Sequence, residues 1–288
     1  MTAAVSDSVR SNSPTTLLAP HERVATRRSY LMCEPRYFTV EYAINPWMDP
    51  SMPVDTERAV AQWHELVQTY RALGHHVAQI EPIDGLPDMV FAANGATVAN
   101  NRVYGAKFRY AERAAEGPAY LQWFRAAGFD SHDAQYVNEG EGDLLVAGDR
   151  LLAGTGFRTE PAAHAEAGAT LGLPVVTLEL VNPRFYHLDT ALCVLNPGEI
   201  AYLPSAFSRK SRAVLRELYP NAILATESDA AVFGLNGVSD GYHVVLPAEA
   251  VGLAASLRER GYQPVPIELS ELRKAGGGPK CCTLELRS

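Results

Sequence analysis

The chain predicts a closed ring of mixed α/β structure, five ββαβ units around a pseudo-fivefold axis. Three observations predict it. Amphipathic helices end on a turn residue at Gly74, Gly128, Gly172, Pro220 and Gly261, which lie 54, 44, 48 and 41 residues apart. Hairpin turns keep similar time, at Asn100-Asn101, Gly148-Asp149, Pro197-Gly198 and Asp240-Gly241, each between short apolar runs. The unusual polar residues occupy one phase of every unit. A fixed period of this size marks a radial or stacked array, in which each unit buries its apolar face against its neighbours. An ordinary α/β sandwich with coincidental spacing is the alternative.

The elements follow in order. The first helix starts near Asp55 and sets Val60, Trp63, Leu66, Val67, Tyr70 and Leu73 at helical spacing. It stops at Gly74, before the strand His76–Ile80. The second helix surrounds Tyr120–Arg125 and stops at Gly128. The third runs from Ala162 to Leu171, before Val175–Leu178. The fourth runs from Ser208 to Leu218, before Ile223-Leu224. The fifth runs from Ala248 to Arg260, before Val265–Ile267. Each unit reads helix, strand, short loop, strand, turn, strand, and the C-terminus cuts the fifth short.

Composition bounds the function. The 288 residues are 47% hydrophobic and 20% charged, enough for a large core. Residues 1–25 read as a frayed tail, Ser/Thr-rich and without the apolar core of a signal peptide, and residues 26–288 as a single catalytic domain. The net charge of −8, with no basic run, argues against a nucleic-acid or anionic-membrane partner. No apolar stretch reaches membrane-spanning length. Four cysteines are too few for a disulfide scaffold, and no Cys-x-x-Cys pair or Cys/His cluster suggests a metal. A reducing cytoplasm fits. Nothing in the exposed pattern marks an interface, so a homo-oligomer is left open.

The loop after the first strand of each unit carries the chemistry. These loops are Pro87–Asn94, Asn138–Asp143, Phe185–Thr190, Leu235–Asp240 and Gly276–Cys281. In a ring they converge at one end of the axis, bringing a thiol, an imidazole, carboxylates and an amide into one cleft. A nearby cation or positive dipole raises the thiolate fraction of a free thiol, and His187 could supply charge and move protons. On an extended strand His187 and Asp189 would share a side. With Asp88, Glu139 and Asp143 the cleft would be acidic, which suits a guanidinium. Asp143 is expected to brace its loop, Glu141 to be solvated and Asn236 to be structural.

These segments resemble the guanidino-group-modifying enzymes of the pentein fold, which include arginine deiminase, dimethylarginine dimethylaminohydrolase, arginine dihydrolase and glycine amidinotransferase. The resemblance runs from Tyr30 onward. It rests on Met32-Cys-Glu-Pro, Tyr42–Met48, Pro87–Asn94, Glu139–Asp143, Gly156-Phe-Arg158, Phe185–Thr190 and Lys274–Cys281. It implies Cys281 as nucleophile, His187 as general acid and base, and Glu139 as the catalytic carboxylate. Asp88 and Asp189 would bind guanidinium nitrogens, Arg158 would grip the substrate α-carboxylate, and Asn45 and Asn94 would line the pocket. Cys282 is expected to pack, facing away if the segment is extended. Asn94 stands where arginine deiminase has aspartate and is similar to arginine dihydrolase, Lys107 stands where arginine is frequent, and Glu139 and Asp143 lie one residue further apart than in deiminases.

The implied activity is cysteine-dependent hydrolysis of arginine or N-methylated arginine through a covalent S-alkylthiouronium, with no metal or organic cofactor. Amidino transfer to an amine acceptor, or a non-catalytic binding module, are the alternative classes.

Overall fold

The computed structural model describes residues 23–287. Strand β1 (Ser29–Cys33) runs parallel to β2 (His76–Ile80), with helix α1 (Thr56–Ala72) as the crossover. Strands β3 (Ala96–Ala99) and β4 (Arg102–Gly105) form a hairpin, and α2 (Glu116–Ala126) carries the chain to β5 (Asp130–His132), parallel to β4. The same pattern recurs in β6 (Leu144–Ala147), β7 (Arg150–Thr155), α3 (Pro161–Leu171) and β8 (Val175–Glu179). After the short helix α4 (Leu188–Ala191) it recurs in β9 (Leu192–Asn196), β10 (Glu199–Tyr202), α5 (Arg209–Leu218) and β11 (Ile223–Leu224). Helix α6 (Glu227–Ala231) precedes the next repeat: β12 (Val238–Ser239), β13 (His243–Pro247), α7 (Val251–Glu259) and β14 (Gln263–Ile267). Helix α8 (Ser270–Arg273) leads to β15 (Leu284–Glu285).

The result is five three-stranded sheets of one design. The leading strands are neighbours around the axis: β15 lies against β3, β3 against β6, β6 against β9 and β9 against β12. The expected five-unit ring is therefore the fold. Its fifth unit, α7 and β14 followed by the loop to Cys281, ends at β15 and lacks its last strand, as the sequence reads. Not foreseen was that β1 pairs antiparallel with β15 and supplies that strand. The two ends of the described chain thus lock the ring.

Local chemistry sets the elements. The Asp55 side chain accepts from the Arg58 N–H and caps α1. Trp63, Leu66, Val67 and Tyr70 are buried along one helix face, as the spacing predicts. Asn100 and Asn101 both take positive φ, 53° and 59°. A two-residue turn of this kind matches the twist of paired strands, and asparagine tolerates it better than most residues.

Two expectations concern the termini. The frayed tail lies outside the described residues up to position 22. Within it Arg23 is tied to the folded body: it donates to the Arg260 carbonyl at 2.6 Å and to Glu199 at 2.8 Å, and its guanidinium lies 3.5 Å over the Tyr262 ring. At the other end Leu284 is fully buried among Leu31, Cys33, Ile80 and Phe124. Leu284→Ala is expected to cost about 2–5 kcal/mol, read as a lower urea midpoint at unchanged slope.

Candidate active site

Hydrogen bonds join the five loops in a circle. The Ala93 N–H donates to the Cys281 carbonyl (3.0 Å), and Asn94 Nδ2 to the Glu139 carbonyl (3.4 Å). The Leu188 N–H donates to Asp143 Oδ1 (3.0 Å), Asn236 Nδ2 to the Asp189 carbonyl (3.1 Å), and the Cys281 N–H to Asn236 Oδ1 (3.1 Å). Each loop is held by the next unit, so the ring fixes the site.

Cys281 is 2% exposed. Its thiol donates to Asp189 Oδ2 at 3.3 Å, and Asn236 Nδ2 donates to the sulfur at 3.1 Å. The glycine run has a steric reason. A Cβ on Gly277 would lie 2.0 Å from the Phe91 ring, and one on Gly278 would lie 2.8 Å from Asn236 Oδ1. Larger residues would push the thiol turn off its neighbours.

His187 Nε2 lies 2.7 Å from Glu139 Oε2, and Arg158 Nη1 donates to the same oxygen at 2.6 Å. Arg158 also donates to the Ile44 carbonyl (2.8 Å) and sits 4.7 Å from the Tyr110 and Tyr186 ring centroids. Asp88 accepts from the Tyr42 hydroxyl at 2.9 Å. Asp88 Oδ1, Asp189 Oδ1 and His187 Nδ1 are buried with no hydrogen-bond partner among the described residues. Buried polar atoms are normally paired, so two unused carboxylate oxygens beside an imidazole and a thiol point to a ligand with donors.

Electrostatics separate the carboxylates. Burial pushes Glu139 up, but the Arg158 guanidinium and the His187 hydrogen bond outweigh it and hold the group well below the usual carboxylate range. Asp189 is pushed up to about 6 by burial, against the pull of His187 and Lys280. Burial also raises Asp88, against Arg113 and Tyr42. Burial and then the Asp189 charge drive the Cys281 thiol well above its ordinary value. Burial and a neighbouring carboxylate both favour the neutral thiol, and a cation beside them would favour the thiolate.

The family described as N,N dimethylarginine dimethylhydrolase, eukaryotic, matches residues 34–288. The chain belongs to that family. Among its relatives, the N(G),N(G)-dimethylarginine dimethylaminohydrolase of Mycobacterium tuberculosis is 56% identical over 93% of this chain and 89% of that one. ArgZ of Synechocystis, a bifunctional arginine dihydrolase/ornithine cyclodeaminase, is 37% identical over 89% of this chain but only 37% of its own length. The N-terminal domain of ArgZ, in a cysteine-to-serine mutant bound to substrate, superposes with a TM-score of 0.87 at 36% identity, covering 91% of this chain and 98% of that one. A dimethylarginine dimethylaminohydrolase adduct structure, 18% identical, shares the fold with a TM-score of 0.75 over 91% and 100% of the two chains.

In this dimethylarginine-hydrolase family member, Cys281, His187, Glu139, Asp88, Asn94, Asp189 and Arg158 are gathered at one end of the axis. Asn45 stands at the edge, with its side chain engaged by protein: Oδ1 accepts from the Trp47 and Met48 N–H groups, and Nδ2 donates to the Ala275 carbonyl (3.0 Å). Lys107 points away, donating to the Gln135 carbonyl. Asp143 braces its loop through Leu188 and Thr159. Among the described residues, no group of three or more His, Cys, Asp or Glu is placed to hold a metal ion.

Three expectations are corrected. Glu141 is fully buried, paired with Lys280 at 2.6 Å and with Arg287. Two cations from the C-terminal segment draw it inward. His187 and Asp189 are not strand neighbours. Leu188–Ala191 forms one helical turn, and Thr190 Oγ1 donates to the His187 carbonyl at its start. The segment around Cys282 is a turn, with the Cys282 N–H bonded to the Gly278 carbonyl, although Cys282 is buried as expected. One residue was missed, and one named residue makes a contact that was not expected. Arg113, 4% exposed, joins Glu116 (2.7 Å), Asn94 Oδ1 (2.8 Å) and the Asp88 carbonyl (3.2 Å). Asn236, expected to be structural, holds the thiol turn through the Cys281 N–H and also lies 3.1 Å from the Cys281 sulfur. An arginine three residues before a glutamate in Arg113-Ala-Ala-Glu116 was the only local signal for the first.

Proposed function

We propose that the protein hydrolyses the guanidino group of N-methylated arginine, dimethylarginine foremost, giving citrulline and dimethylamine through a covalent intermediate on Cys281. The observation that carries this reading is the Cys281 thiol at 3.3 Å from Asp189, with the remaining oxygens of Asp189 and Asp88 buried and unpartnered. A planar guanidinium offers donors to both carboxylates. The 56% identity to a dimethylarginine dimethylaminohydrolase supports the substrate.

The geometry gives each residue a task. Substrate cation offsets the charge of Asp189 and Asp88, and the thiol passes its proton to His187, which holds it for the leaving nitrogen. The thiolate forms a bond to the guanidinium carbon. His187, held by Glu139, gives a proton to the dimethylamino nitrogen as its bond to carbon breaks. An S-alkylthiouronium remains. His187 then takes a proton from water, which adds to the same carbon; the C–S bond breaks and citrulline leaves. Arg158 is assigned to the substrate α-carboxylate, turning from Glu139 as the guanidinium arrives. Asn45 acts through the glycine run that it braces. Four free cysteines fit a reducing, cytoplasmic setting.

One observation favours a second reading, arginine dihydrolysis to ornithine. Position 94 is Asn, locked by Arg113, and the likeness to ArgZ covers nearly the whole chain. Products decide between them. Incubation with dimethylarginine and with arginine is expected to give citrulline and dimethylamine from the first, and little from the second. Ornithine with two equivalents of ammonia from arginine would reverse the assignment. Transfer of the amidino group to an added amine would replace hydrolysis altogether.

A further inference from the structure

Asn236 is fully buried, and its carboxamide is spent on the thiol turn. Oδ1 accepts from the Cys281 N–H at 3.1 Å. One N–H of Nδ2 points to the Asp189 carbonyl (3.1 Å), and Nδ2 also lies 3.1 Å from Cys281 Sγ. Its own carbonyl accepts from the Lys280 N–H at 3.1 Å. A residue that only braced the turn would need the Oδ1 and backbone bonds. The donor aimed at sulfur has no such structural use, because a neutral thiol is a weak acceptor. A thiolate is a strong one, and hydrogen bonds to ionised groups are the stronger kind.

We infer that Asn236 is a catalytic residue: its Nδ2–H donates to the Cys281 thiolate formed when substrate arrives and keeps the sulfur on the line of attack. This rests on Cys281 being the nucleophile. Three residues earlier, Phe233 takes a positive φ of 61°, and its carbonyl accepts from the Asn236 N–H at 2.9 Å, bending the loop that aims the amide. The other titratable groups acting on the sulfur are Asp189 from the third loop, Cys282 next in the chain and Tyr186. Lys280, adjacent in sequence, is tied to Glu141 and the Thr283 carbonyl. Asn236 is thus a neutral side-chain donor, beside the Gly278 backbone, in a setting whose nearest charge is negative.

The test compares the wild type with Asn236→Asp and Asn236→Ser. Aspartate keeps the Oδ1 acceptor but replaces the donor with a second carboxylate beside the sulfur; serine keeps a shorter donor and adds no charge, so it reads the lost amide alone. Alkylation of Cys281 by 2-chloroacetamidine is followed against pH, with the modified peptide mapped by mass spectrometry, beside kcat and KM for dimethylarginine. In Asn236→Asp the midpoint of alkylation is expected to rise by about one pH unit or more, and kcat to fall on the order of 10- to 100-fold with KM within about threefold. Asn236→Ser falls between. If one variant loses the wild-type near-ultraviolet circular dichroism, the other decides. If both lose it, Asn236 is structural and the inference fails. It also fails if the midpoint does not move and kcat drops less than about threefold. Absence of alkylation at Cys281 in the wild type would instead overturn the nucleophile assignment beneath it.

Discussion

Cys281→Ser is expected to lower turnover of dimethylarginine by about four orders of magnitude or more while leaving substrate binding within a few-fold of wild type. The substitution keeps the size of the side chain and the N–H that Asn236 accepts. It removes the atom able to carry negative charge against the guanidinium carbon. Binding survives because the groups assigned to the cation, Asp88 and Asp189, are untouched. Turnover by product assay and affinity by calorimetry separate the two effects. A variant that keeps more than about one hundredth of wild-type kcat would contradict a covalent route, since loss of a nucleophile costs far more.

Glu139→Gln is expected to damage stability and turnover together. Glu139 is fully buried and pairs with both Arg158 (2.6 Å) and His187 (2.7 Å). Glutamine keeps the shape but leaves the Arg158 guanidinium, 2% exposed, without its counter-charge. Removing one partner of a buried pair costs about 3–5 kcal/mol. Loss of the group that holds His187 should lower kcat by roughly 10²- to 10⁴-fold. Acidity supplies a further check. Because Glu139 is held well below the usual carboxylate range when folded, its stabilisation is complete above the ordinary glutamate value near about 4.3 and fades as pH falls below it. The stability gap between wild type and Glu139→Gln, measured by urea midpoints, should therefore narrow from pH 7 to pH 3. A gap that stays constant would mean that the Glu139 charge is not what stabilises the site.

The ring was legible because its punctuation is local. A glycine after a helix and an asparagine pair in a hairpin are set by backbone conformation, so their spacing reports the repeat directly. Cys281, His187 and Glu139 were legible through their shared phase and the family's motifs. What escaped the sequence depends on partners far along the chain. Closure by β15 on β1 joins residues more than 250 positions apart, and no local pattern announces it. Glu141 looks like a solvated loop acid until Lys280 and Arg287 are brought against it. Arg113 looks like an exposed residue in an Ala/Glu-rich stretch until Glu116, Asn94 and the Asp88 carbonyl surround it. Asn236, in Leu-Asn-Gly, has the composition of a turn, and only the fold reveals a sulfur 3.1 Å from its amide. The His187–Asp189 pair was placed by strand alternation, yet one helical turn puts both into the cleft.

The central claim is that Cys281 carries the amidino carbon between two half-reactions. Acid quench during steady-state turnover of dimethylarginine, followed by mass spectrometry of the digested chain, tests it most directly. The account predicts a peptide containing Cys281 heavier by the dimethylarginine mass less dimethylamine, absent from Cys281→Ser. Rapid citrulline formation with no adduct on any peptide, or an adduct on Cys282 in place of Cys281, would contradict it.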